Sequence, residues 1–241
     1  MMEGQVVIVT GAAKGIGRYI THTFAKAGAN LVVTDIDSLD KVAGEVREME
    51  AEVLAVPCDV RDEAQVKAMV DRAASHYGKI DVLVNNAGIV PHFQWGGPRW
   101  PRVRDIEKDF FWDTVLATNL GGTFLCTKHA LRHMAERRSG HILNLHGGGN
   151  GTGAAAYVIS KDAIRVFTRF VAEEERENNV CIVALSPGGA IATENAPEEA
   201  RRRMPGPESS GDRWVLAAQV GMDLSGKLLD LKDGRIVVDG G

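Results

Sequence analysis

The chain has 241 residues, 44% of them hydrophobic and 25% charged, with a formal net charge of −4, a composition that can build an ordinary globular core. The slight acidic excess sets nucleic acid aside as the main partner, and no apolar run approaches the roughly 20 residues of a membrane span. Cys58, Cys126 and Cys181 form an odd set without a short-spaced pair, so neither a disulfide framework nor a metal site is expected, and the reducing cytoplasm is the expected location.

Taken in chain order, residues 6–10 read as a buried strand that begins almost at once, leaving no room for a signal peptide. A helix over 16–27, a strand over 30–34 and a helix over 39–50 follow. Next come a strand over 53–58, a helix over 63–77 and a strand over 82–85. A long helix over 109–135, a strand over 142–145, a second long helix over 154–178 and a strand over 181–186 continue the alternation, and a short strand over 235–238 closes it. Short apolar strands alternating with amphipathic helices specify an α/β fold, a Rossmann-like doubly wound parallel sheet flanked by helices, as one domain over 1–241.

Two stretches break the rhythm. Residues 91–104 carry Pro91, Gly96, Gly97, Pro98 and Pro101 among Phe93, Trp95 and Trp100, and residues 194–212 carry Pro197, Pro205, Pro207 and Gly211 among charges. Both follow strands, on the carboxyl edge where open α/β sheets bind ligands, so both are expected to be substrate-lid loops. Arg99, Arg102, Arg104 and Arg201, Arg202, Arg203 read as solvated charge or, second, as marks of an anionic substrate; His92 reads as a solvated loop residue or, second, as one within reach of the substrate.

Between the first strand and first helix stands Thr10-Gly11-Ala12-Ala13-Lys14-Gly15-Ile16-Gly17. A glycine-rich turn in that context offers backbone N–H groups to a pyrophosphate. Asp35 ends the second strand, where a carboxylate bonds ribose hydroxyls and repels a 2′-phosphate. That points to NAD; Lys14 pulls toward NADP, the less favoured cofactor. Tyr157 and Lys161, four residues apart, share one helix face, where an ammonium can lower a phenol's pKa and suit it to proton transfer.

Together with Asn119 in Thr118-Asn119-Leu120-Gly121, these motifs resemble the short-chain dehydrogenase/reductase family nearly end to end. The resemblance implies an NAD-dependent oxidoreductase interconverting a secondary alcohol and a ketone, with Tyr157 as general acid/base. It implies that Lys161 depresses the phenol's pKa and holds the nicotinamide ribose, and that Asn119 holds a water linked to Lys161. It further places Asp59-Val60 against the adenine and Asn86-Ala87-Gly88, after Asn85, against the ribose. Pro187-Gly188, with Ile191 and Thr193 behind, falls at the nicotinamide, although Thr193 comes one position later than the family's spacing. The family pairs its two long helices across a subunit interface, so a homodimer or homotetramer is implied.

One family residue is missing. A serine usually ends the fifth strand and donates to the substrate oxygen; here the chain reads Leu145-His146-Gly147-Gly148-Gly149-Asn150-Gly151-Thr152-Gly153, with Gly147 in its place. Three readings stay open. His146 supplies the hydrogen bond; Thr152, Asn150 or a backbone N–H in the glycine run supplies it; or the site is catalytically weak and the fold serves as a dinucleotide-binding regulatory or scaffold protein. An NADPH-dependent ketone reductase is the alternative within the enzyme class. A halohydrin-type lyase is disfavoured, because such relatives abandon the glycine-rich turn and replace the Lys by Arg.

Overall fold

In the computed structural model, which describes residues 1–91, 99–148, 152–189, 191–194, 196–232 and 235–238, consecutive residues of β1 (Val6–Thr10) go to opposite faces of one sheet. Val7 and Val9 enter a core beneath α1 (Gly15–Lys26) and α2 (Asp40–Glu48). Val6 and Ile8 enter a second core shared with α3 (Glu63–Tyr77) and α4 (Gly122–Arg137). A strand covered on both faces must be apolar throughout, and the short continuous runs reflect that.

The remaining strands are β2 (Asn30–Thr34), β3 (Val53–Ala55), β4 (Val82–Asn85), β5 (Gly140–Leu145), β6 (Val180–Ser186), β7 (Leu228–Lys232) and β8 (Arg235–Val238). They lie in the order β3-β2-β1-β4-β5-β6-β7-β8. All neighbours pair in parallel except β7 and β8, which are antiparallel. This is the expected doubly wound sheet, and the strand order reverses between β1 and β4, which opens a crevice at their carboxyl ends.

Several boundaries differ from expectation. Beyond Ala55 the third strand leaves regular pairing, although Val56 N–H still donates to Val33 O and Cys58 N–H to Asp35 O. The long helix over 109–135 is two segments, a wide π-helical one (Phe110–Gly121) that passes into α4. The second ends as α5 (Ala155–Glu174), with a 3₁₀ turn (Arg176–Asn178) completing it. Strand β7 was not expected, nor were the short helices α6 (Glu198–Arg201) and α7 (Arg213–Ala217); Trp214 of α7 enters the core beneath α1. Strand β7 turns back on β8 with Lys232 opposite Arg235, and the intervening Asp233-Gly234 is the sequence signal of a two-residue hairpin.

Both ends of α3 are set locally. Asp62 caps α3 by accepting from Ala64 N and Gln65 N at 2.9 and 3.2 Å, satisfying donors that would otherwise be orphaned. Gly78, left-handed at φ 75°, ends the same helix.

Candidate active site

A cavity of about 700 Å³ opens on the carboxyl edge of the sheet, lined from the turns that follow β1, β2, β4, β5 and β6. At its floor the glycine-rich turn is held by close contacts that side chains would prevent. A Cβ on Gly17 would run into Gly11 O, and one on Gly11, itself left-handed at φ 66°, would stand 2.8 Å from Ala87 Cα. Thr10 Oγ1 accepts from Asn86 N and Ala87 N, both at 3.0 Å, while Asn86 Nδ2 donates to Thr10 O at 2.9 Å and Gly11 O at 3.0 Å. The turn after β4 thereby clamps the turn after β1, and Gly11, Lys14, Gly15, Ile16 and Gly17 face the cavity with Asn86, Ala87 and Gly88.

At one end, Asp35 accepts from Ala13 N at 2.9 Å and Asp37 N at 3.1 Å. Lys14 does not approach it as a free cation: its Nζ lies 2.6 Å from Asp37 Oδ2, and that hydrogen bond raises the ammonium's pKa. Asp59 is clasped by Arg61, which donates from Nη2 at 2.6 Å and keeps the carboxyl below its usual range. Val60 beside it packs onto the bare Gly122 at the start of α4. At the other end stand Pro187, Ile191 and Thr193; Gly188 does not line the cavity, and its N–H turns to Ser186 Oγ at 3.3 Å.

Tyr157 and Lys161 of α5 line the same cavity, 7% and 5% exposed. Lys161 Nζ donates to Leu145 O at 2.8 Å and lies 5.9 Å from the centre of the Tyr157 ring. Burial pushes the phenol up to about 12 and the ammonium down to about 8. The expected lowering of the phenol by the ammonium is outweighed: desolvation dominates, and the ammonium is taken up by a carbonyl. Asn119, fully buried, lies behind this pair rather than in the cavity wall. Its Nδ2 donates to Ser160 Oγ at 2.9 Å and Ile89 O at 3.2 Å, and its Oδ1 accepts from Ile89 N at 2.7 Å. Its own carbonyl accepts from the Thr123 hydroxyl at 2.7 Å.

The exit of β5 departs most from expectation. His146 lines the cavity, but its Nε2 stands 3.7 Å from Asp162 Oδ1, beyond hydrogen-bond range, and has no partner among the described residues. Burial lowers its pKa. Thr152 is exposed and outside the cavity lining; Asn150 lies outside the described residues.

The model of the short chain dehydrogenase family matches residues 5–203. The chain belongs to the short-chain dehydrogenase family. It is 39% identical to momilactone A synthase of Oryza sativa subsp. japonica over 196 residues, covering 80% of this chain and 68% of that protein. It is 35% identical to the 3-oxoacyl-(acyl-carrier-protein) reductase of Thermotoga maritima over 207 residues, covering 83% and 80%. Among solved structures, levodione reductase superposes with a TM-score of 0.83 at 28% identity, covering 97% of this chain and 98% of that one. The protein is therefore an NAD(P)-dependent oxidoreductase of alcohol and carbonyl groups.

For a short-chain dehydrogenase the cavity fits a nicotinamide dinucleotide: the bare Gly11–Gly17 turn is a cradle that any Cβ at Gly17 would spoil, and it opens onto the start of α1. Some lining residues escaped the sequence. Asp37 and Arg61 are one or two residues beyond the motifs, and Thr114 and Thr118 enter from the π-helical segment, where their four-residue spacing just before Asn119 is the available signal. No described residue of 99–104 or 196–212 lines the cavity. Trp100 instead packs edge-to-face on Phe110 at 5.1 Å, and its carbonyl abuts Gly153. His92, Phe93 and Trp95 lie outside the described residues. Among the described residues no helix is long and apolar enough to cross a membrane.

Proposed function

We propose that the protein is an NAD-dependent dehydrogenase interconverting a secondary alcohol and a ketone, with Tyr157 carrying the proton. The observation behind this reading is the meeting, in one cavity, of the buried Tyr157–Lys161 pair with the glycine cradle and Asp35.

A bound nicotinamide would supply the hydride chemistry, as acceptor for the alcohol or donor for the ketone. The chain's own residues hold and orient it. Backbone N–H groups of the glycine turn would face the pyrophosphate, Asp35 would take the ribose hydroxyls, and Asp59 and Val60 would bound the adenine. Asn86, Ala87 and Gly88 would wall the ribose, and Pro187, Ile191 and Thr193 the nicotinamide. Two carboxylates, with Lys14 neutralised by one of them, make the 2′ position hostile to a phosphate. Tyr157 Oη exchanges a proton with the substrate oxygen, and the Lys161 charge favours the phenolate once a bound ligand reorganises the site. Asn119 holds Ile89 and Ser160 behind them, fixing α5 against the loop after β4.

Trp112, Phe124, Ile159, Val166 and Phe170 leave large apolar side chains 45–58% exposed on the π-helical segment, α4 and α5, which supports a homo-oligomer joined through these helices. Three buried thiols suit the cytoplasm. The substrate is a small-molecule alcohol or ketone seated in the cavity. Gly147 in place of a serine is what favours the second reading, a dinucleotide-binding regulatory or scaffold protein. Nicotinamide absorbance with NAD, NADP and a panel of cyclic and aromatic secondary alcohols separates them: turnover with NAD supports the dehydrogenase, and tight NADH binding without turnover supports the scaffold.

A further inference from the structure

The backbone at Gly147 does not need a glycine. Its φ lies outside the left-handed range, so an ordinary L-residue could adopt it. What excludes a side chain is Tyr157. A Cβ built on Gly147 would fall inside the contact distance of Tyr157 Oη and 3.5 Å from its Cζ. The phenol oxygen therefore occupies the volume where a side chain at this position would start.

The setting makes this contact specific. Two residues earlier, Leu145 O receives the Lys161 ammonium at 2.8 Å. One turn of α5 thus rests two polar side chains on the exit of β5, Lys161 on a carbonyl and Tyr157 on a bare Cα. A lost donor would leave a gap facing Tyr157; here that space is filled by Tyr157 itself. The imidazole of His146 lies 3.7 Å from Asp162 Oδ1, and its Nε2 makes no hydrogen bond to the pair.

We infer that Gly147 is a positioning residue for Tyr157: its bare backbone is the seat of the phenol, so that a serine at 147 displaces Tyr157 instead of restoring a missing donor. The chain has adapted to the glycine, with Tyr157 as the hydroxyl presented to the substrate oxygen from this end of the cavity. The inference deepens the proposed dehydrogenase reading and rests on it for the role of Tyr157; the seat itself is a property of the cofactor-free protein.

Gly147→Ser and Gly147→Ala in the full chain test it, with thermal melting to confirm folding and Tyr157→Phe to assign the phenol among the three tyrosines. With a wild-type phenol pKa of about 12, roughly a tenth of Tyr157 is phenolate at pH 11. Displacement toward solvent is expected to raise that share several-fold in both variants, read as phenolate absorbance. NADH affinity should stay within about twofold, while kcat on an accepted alcohol falls about tenfold or more at little-changed KM. Faster turnover in Gly147→Ser than in wild type overturns the inference, as does a wild-type phenol titration in both variants. If Gly147→Ser does not fold, Gly147→Ala, one atom smaller, carries the same readings. If no alcohol is turned over, the dehydrogenase reading fails while the titration still decides the seat.

Discussion

Lys161 Nζ donates to Leu145 O at 2.8 Å, a single bond that joins α5 to the exit of β5 in the wall of the cavity. The ammonium is almost wholly buried, and burial brings its pKa down to about 8. In the unfolded chain a lysine titrates near 10.4. Between these values the unfolded state holds more protons than the folded one, so stability rises with pH from about 8 to about 10. Lys161→Met is expected to flatten that rise and to increase Tm at pH 7.5, by roughly 2–4 °C for each kcal/mol of relieved desolvation, while abolishing turnover. Melting curves for both proteins from pH 7.5 to 9.5 check this; an unchanged slope in the variant would place the pH dependence elsewhere.

Cofactor choice should rest on two carboxylates. Asp35→Ala is expected to shift the kcat/KM ratio toward NADP by at least about tenfold, since one full charge beside a phosphate is removed. Asp37→Asn removes the partner 2.6 Å from Lys14, and the double variant should exceed the product of the single effects, because the freed ammonium then meets a site without Asp35. Steady-state kinetics with both cofactors measure it. Identical preference in the double variant and Asp35→Ala would remove Asp37 from the account.

Asn119→Ala strips the hydrogen bonds that Ile89 and Ser160 make with a fully buried side chain. Each buried polar group left unpaired costs about 1–3 kcal/mol. Urea unfolding should register a loss of that size or more, together with lower turnover, since the loop after β4 and the Tyr157 turn of α5 lose their common tie. Full stability with lost turnover would mean that Asn119 acts chiefly through solvent rather than through these contacts.

The doubly wound architecture and the cavity floor were legible because close contacts leave few choices of residue. Gly11 and Gly17 must be bare where Asn86 and Ala87 press against them, and the strands are apolar on both faces because both faces are covered. Residue identity also marked Tyr157, Lys161 and Asn119. Other features are products of tertiary packing. The wide π-helical turns of Phe110–Gly121 leave no trace in a segment whose apolar residues do not favour one helical face. Strand β7 is five residues with charge at Asp230 and Lys232, too short and mixed for its pattern to stand out. Asp37 was passed over because only the pairing of β1 with β2, Thr10 opposite Thr34, brings its loop to Lys14. The order of influence on Tyr157 was likewise hidden, since spacing puts an ammonium near a phenol but says nothing of the burial that outweighs it.

Whether Tyr157 carries the proton in an NAD-linked alcohol–ketone interconversion is decided by NADH formation in wild-type protein and Tyr157→Phe on a panel of cyclic and aromatic secondary alcohols, with NADH affinity measured for both. Turnover with NAD is expected to fall by about 10²–10⁴-fold in the variant at unchanged NADH affinity. Equal turnover in the two proteins would contradict it.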